Sequence, residues 1–133
     1  MNKLVVLIIA LIILVTTACG QQEPREIELK EYTITELTES DLKAVDKITI
    51  KNGETGDVKT IEDQQDVTAW LDFIKGIQFT PDLDQNQREG WLYMITLYEG
   101  NRKVLEFYPN YIDDIYFKVE NDVISKFDEL FKS

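Results

Sequence analysis

Hydrophobic positions fall along the chain in three patterns, and each predicts a different kind of element. The first is an unbroken apolar run from Leu4 to Val15, about twelve residues, behind the short positive stretch Met1-Asn2-Lys3. Its length suits an export signal and falls short of the ~20 residues that span a bilayer. The second pattern is period-2 alternation, which marks half-buried strands. Ile48 and Ile50 alternate with Lys47, Thr49 and Lys51, then Asn52-Gly53 and Gly56 turn the chain back through Val58 to Ile61, predicting a β-hairpin. Trp91 to Tyr98, Val104 to Tyr108 and Ile115 to Val119 read as three strands of an antiparallel meander, joined through Gly100-Asn101 and through Pro109-Asn110 with Asp113-Asp114. The third pattern is helical. Val67, Trp70, Leu71 and Ile74 share one face between Asp63, the predicted N-cap, and Gly76, the predicted stop. Val123, Ile124, Phe127, Leu130 and Phe131 do the same after Asp122, again the predicted N-cap.

The remaining segments carry weaker signals. Ile77-Gln78-Phe79 predicts a short strand closed by Pro81, and Asp82 to Gly90 predicts a polar loop. Ile27, Leu29, Tyr32 and Ile34 alternate imperfectly within 27–37, which predicts either a partly ordered edge strand or extended tether. Residues 20–26 are polar and aperiodic, as a tether would be. The element order is ββ-α-β-βββ-α. It predicts an α+β fold: an antiparallel sheet of five to six strands with two helices packed on one face. The order loosely resembles small extracytoplasmic domains of the β-lactamase-inhibitor-like and TATA-binding-protein-like kinds, in element order alone.

Val15-Thr16-Thr17-Ala18-Cys19-Gly20 follows the apolar run and leads small residues into the single cysteine of the chain. This stretch resembles the lipobox of bacterial lipoproteins, with Thr16 where that pattern usually has leucine. The resemblance implies cleavage before Cys19, a diacylglycerol on its sulfur, and a lipid-anchored protein facing the extracytoplasmic side of the cell membrane. The implied organisation is a signal peptide over 1–18, a lipidated tether with the edge strand over 19–43, and one globular domain over 44–133. An ordinary secretory signal or an uncleaved anchor helix is the alternative reading of the same residues.

Composition then narrows the chemistry. Without residues 1–18 the chain loses Lys3 and keeps 13 basic against 25 acidic side chains, a net charge of −12. Such a surface stays soluble and disfavours nucleic acid as a partner. Histidine is absent, which removes the commonest general base and the commonest zinc ligand. A single cysteine excludes an intrachain disulfide. Ser40, Ser125 and Ser133 lie in no nucleophile-elbow context, and no glycine-rich phosphate loop is present. No cofactor and no catalytic residue is therefore assigned.

Two acidic motifs and one surface remain. Asp82, Asp84 and Asn86 have the spacing that opens an EF-hand loop, but Gln87 replaces its glycine and Tyr93 its bidentate glutamate, so no metal site is expected. Asp113-Asp114 reads as a hairpin turn rather than a carboxylate pair for glycoside hydrolysis. In the meander, Trp91, Tyr93, Ile95, Leu97, Leu105, Phe107, Ile115, Phe117 and Val119 share the parity that faces the helices. Trp70 and Trp91 are both assigned to the core. The opposite parity holds Leu92, Met94, Tyr98, Tyr108 and Tyr116 among Thr96, Glu106 and Lys118. Either these are strand formers on a solvated face or covered by residues 27–37, or Met94, Tyr98, Tyr108 and Tyr116 form a recognition surface for an envelope protein, peptide or glycan. The functional expectation is a tethered binding or inhibitory module and not an enzyme, with a carboxylate-dependent envelope enzyme and a structural envelope component as alternatives.

Overall fold

Alternation in Lys47–Asn52 and Tyr93–Glu99 builds the centre of the fold. A computed structural model of the chain describes residues 27, 28 and 30–133. Cys19 and the apolar run lie outside the described residues. Strands β1 (Lys47–Asn52) and β2 (Val58–Ile61) form the expected hairpin. Its turn is held by Asn52 Oδ1, which accepts from the backbone N–H of Glu54 at 2.8 Å and of Thr55 at 3.1 Å. β3 (Tyr93–Glu99) pairs antiparallel with β1, and β4 (Arg102–Phe107) with β3, giving the order β2-β1-β3-β4. Ile48 stands opposite Leu97, Ile50 opposite Ile95, and Ile95 opposite Phe107, so one face is continuously apolar and buried.

Both expected helices pack on that face. In α2 (Gln64–Lys75), Asp63 Oδ1 accepts from the N–H groups of Gln65 and Asp66 at 2.9 and 3.2 Å, and Gly76 ends the helix. Its Trp70 meets Phe127 of α3 (Asn121–Lys132) edge-on at 5.7 Å between centroids, and Phe107 of β4 at 6.3 Å. Phe107 and Phe127 close the triangle at 6.2 Å and 88°. The start of α3 corrects the expected cap: Glu120 occupies that position with no side-chain cap bond, and Asp122 lies inside the first turn.

A third helix, α1 (Ile34–Thr38), replaces the edge strand or tether expected over 27–37. Thr33 Oγ1 accepts from the Glu36 N–H at 3.3 Å, while Glu36 Oε2 accepts from the Thr33 N–H at 2.7 Å. This reciprocal box satisfies two otherwise unpaired donors and outweighs the imperfect alternation. Ile34 and Leu42 are fully buried, so the folded unit extends back beyond residue 44. Just before α1, Tyr32 and Phe79 exchange backbone hydrogen bonds at 2.9 and 2.7 Å. That isolated bridge is all that forms of the strand expected over 77–79.

The meander holds for its first two strands only. The third expected strand contracts to β6 (Ile115–Tyr116), which pairs with β5 (Tyr111–Ile112) in a separate two-stranded sheet. Pro109 has no N–H for a ladder and ends β4. Asp113 and Asp114, at φ 49° and 63°, then make a two-residue turn with both centres left-handed, which returns the chain onto Tyr111. Phe117 remains buried and bridges Pro81, whereas Val119, expected to face the helices, is 43% exposed. β4 is thus an edge of the four-stranded sheet, with no fifth ladder strand beside it among the described residues.

One polar contact ties the sheet to α3. The Tyr93 hydroxyl donates to Asp128 Oδ1 at 2.7 Å, and Lys132 Nζ lies 2.5 Å from Asp128 Oδ2. Burial of the ring, then the bond to Asp128, pushes the Tyr93 pKa up to about 12. The protonated phenol is thereby favoured by folding. Its contribution is complete below the ordinary tyrosine value of about 10 and disappears as pH rises through the folded value. Tyr93→Phe is expected to cost about 1–2 kcal/mol in denaturant unfolding at neutral pH. It is also expected to flatten the loss of stability that the wild type shows in alkali.

Candidate functional site

The pleat that buries Phe107 sends the next side chain, Tyr108, to the opposite side of the chain. There Tyr108 meets Trp91 at 5.6 Å between ring centroids and Tyr111 at 6.2 Å, and Tyr111 meets Tyr116 at 4.6 Å. Tyr111 and Tyr116 are brought together by counting outward from the Asp113-Asp114 turn, since Ile112 pairs with Ile115 and Tyr111 with Tyr116. The four rings are half-buried and line a groove of about 400 Å³, with Gln87 and Asn110 also on its wall. A space of that size matches small-ligand sites in general.

Trp91 is the main correction among the aromatic residues. It was expected in the core with Trp70, and only Trp70 is there, at 6% exposure. The β3 ladder begins at Tyr93, so the alternation that buries Tyr93, Ile95 and Leu97 does not extend back to Trp91. Gly53 holds Trp91 in place instead. Its N–H donates to Leu92 O at 2.7 Å, and a Cβ on Gly53 would lie 2.0 Å from the Trp91 carbonyl oxygen. Only a residue without a side chain permits this approach.

The loop over 82–90 forms the opposite wall. Gln85 uses its side-chain amide as a strand neighbour: Oε1 accepts from the Tyr116 N–H at 2.9 Å, and Nε2 donates to the Tyr116 carbonyl at 2.9 Å. Arg88 Nη2 donates to Asp82 Oδ2 at 2.9 Å and to the Asp84 carbonyl at 2.7 Å, with its guanidinium 4.8 Å from the Tyr116 ring centroid. The calcium-like spacing has a local explanation. Asp82 Oδ1 accepts from the Asp84 N–H and Asp84 Oδ1 from the Asn86 N–H, two successive side-chain turns. Among the described residues, no three or more potential ligands are grouped to hold a metal ion.

The four residues expected to share a recognition surface fall into two places. Tyr108 and Tyr116 belong to the groove. Met94 and Tyr98 lie on the open face of the four-stranded sheet, where Lys47 sits 4.6 Å over the Tyr98 ring and Thr96 Oγ1 donates to Glu106 at 3.3 Å. Trp91, Tyr111, Arg88 and Gln85 were not anticipated as site residues. The Tyr111–Tyr116 pairing was within reach of the turn arithmetic, whereas the Gln85–Tyr116 contact spans 31 positions with no local signal.

Charged groups of the groove engage neighbours within it. The Arg88 hydrogen bond, then the Asp84 N–H, hold the Asp82 carboxyl below the usual aspartate range, and Asp82 in turn raises Arg88. The Tyr111 hydroxyl donates to Asp114 Oδ1 at 2.9 Å, which raises the Tyr111 pKa. Comparison with family models, curated proteins and solved structures returned no match. No helix among the described residues is long and apolar enough to cross a membrane.

Two outcomes follow from this geometry. Gly53→Ala is expected to destabilise the protein by about 1–3 kcal/mol, because the new methyl group meets backbone. Tryptophan emission should also shift to the red as Trp91 is displaced. Asp82, depressed in the folded state, contributes stability that is complete above about pH 3.9 and is lost as pH falls through its folded value. Proton-coupled shifts of the Tyr116 and Arg88 resonances should therefore have a midpoint below that of a free aspartate, and Asp82→Asn should abolish the step.

Proposed function

We propose that this protein is a lipid-anchored extracytoplasmic binding module, tethered through Cys19, whose folded domain holds its ligand in the groove between the 82–90 loop and the β5–β6 hairpin. The observation that carries this reading is the file of four half-buried rings, Trp91, Tyr108, Tyr111 and Tyr116, along one groove. Tyrosine and tryptophan offer large contact area with few rotamers to freeze, which favours recognition. Anchoring at the membrane adds local concentration, so modest intrinsic affinity suffices.

The chemistry of the groove supports binding over turnover. The chain has no histidine, and Cys19, its one cysteine, is the proposed lipid carrier. Asp82 beside the groove is held ionised by Arg88, the reverse of what a general acid at neutral pH needs.

The test uses the full chain in a detergent without sugar headgroups, with envelope extract as the source of ligand. Wild type and a Met94→Ala/Tyr98→Ala variant should retain bound material, and Trp91→Ala/Tyr108→Ala should lose at least tenfold of it while keeping its circular dichroism. Equal capture by all three would refute the groove as the site. In cells, Cys19→Ala should abolish incorporation of a fatty-acid tracer and release the protein from the membrane, and unchanged labelling would refute the anchor.

A further inference from the structure

We infer that the ligand of the groove is an uncharged glycan, an inference that rests on the reading of the groove as a binding site. The argument starts from which hydrogen-bonding groups on the groove remain open. Backbone groups along its floor are taken. Tyr108 and Tyr111 exchange N–H···O bonds at 3.0 and 3.2 Å, and the Asn110 carbonyl accepts from Phe117 N–H at 2.9 Å. The Tyr116 N–H is held by Gln85, and its carbonyl accepts from Gln85 and from the Asp82 N–H. A peptide ligand that adds as a strand needs a free edge, and the floor offers none.

Among the described residues, the one cation of the groove wall is paired. Arg88 is bound to Asp82 and the Asp84 carbonyl, and Asp114 accepts from Tyr111. A phosphate-bearing ligand therefore finds no cation here that lacks a counter-charge, and Asp114, which keeps its charge, adds repulsion to any anionic group. The uncharged side-chain groups that remain on the wall are the amides of Gln87 and Asn110, the Tyr108 hydroxyl and the Trp91 indole N–H. An amide presents donors and an acceptor together. So does a hydroxyl group, which both donates and accepts, and a sugar carries several around one ring.

The rings complete the match. Successive pairs along the file are tilted by 50°, 44° and 43°, not stacked face to face. Arg88 lies over the Tyr116 ring, which leaves the half-buried Trp91, Tyr108 and Tyr111 to offer ring surface to the C–H groups on the flat side of a pyranose. Aromatic faces beside amides that both donate and accept therefore fit a ring that is apolar on its faces and hydroxylated at its rim.

The test titrates the full chain, in the same sugar-free detergent, with cellotetraose, chitotetraose and maltotetraose, and separately with oligoproline and oligolysine. Trp70 is sealed in the core, so changes in tryptophan emission report on Trp91. At least one tetrasaccharide should give a saturable change whose midpoint is unmoved by salt, since no ion pair is formed. Gln87→Ala/Asn110→Ala should weaken it about tenfold or more, with unchanged thermal unfolding. Saturation by a peptide with no response to any sugar overturns the glycan and leaves the binding reading standing. A sugar response that the amide variant leaves intact keeps the glycan and overturns the role given to Gln87 and Asn110. Silence towards every probe also overturns the glycan, and the binding reading falls with it only if groove and sheet-face variants capture envelope material equally.

Discussion

Three aromatic side chains from three elements, Trp70 of α2, Phe107 of β4 and Phe127 of α3, meet at one junction in the core. That contact joins both long helices to the sheet. Phe107 can be buried there only if the β4 pleat points it at the helices, and the same pleat directs Tyr108 away from them. The interior therefore decides where the groove begins. Large-to-small changes at this junction typically cost several kcal/mol, and here they would act on the groove as well as on stability.

Short-range patterns were the readable part of the fold. The hairpin at Asn52-Gly53, the limits of α2 at Asp63 and Gly76, the inward parity of Ile95 and Leu97, and the turn at Asp113-Asp114 all follow from residues within a few positions of one another. α1 shows the limit of periodicity. Five residues are too few for a 3.6-residue repeat to declare itself, so Thr33 and Glu36 were the only local sign of a helix. The short strands failed for the opposite reason. Phe79 and Phe117 have the apolarity of strand residues, but their partners, Tyr32 and Pro81, are supplied by distant chain.

The groove was legible only in part. Tyr108 and Tyr116 stood out as aromatic residues of outward parity, yet parity alone also swept in Met94 and Tyr98, which a lysine-bearing polar face surrounds. Trp91 looked like core because it shares the parity of Tyr93, Ile95 and Leu97, and nothing near it in the chain announces that Gly53 will press against its carbonyl. Contacts between loops, such as Gln85 with Tyr116, are set by tertiary geometry and leave no periodic trace.

The side-chain amide of Gln85 has one more consequence. A two-stranded ribbon ordinarily exposes a row of backbone donors and acceptors on each side, and such rows invite pairing with another copy of the chain. Here Tyr108 closes one side of the ribbon through its bonds to Tyr111, and Gln85 closes the other through Tyr116. Neither side can seed an intermolecular sheet. The ribbon is thus blunted against polymerisation by one glutamine side chain, the Asp82 N–H and one tight turn.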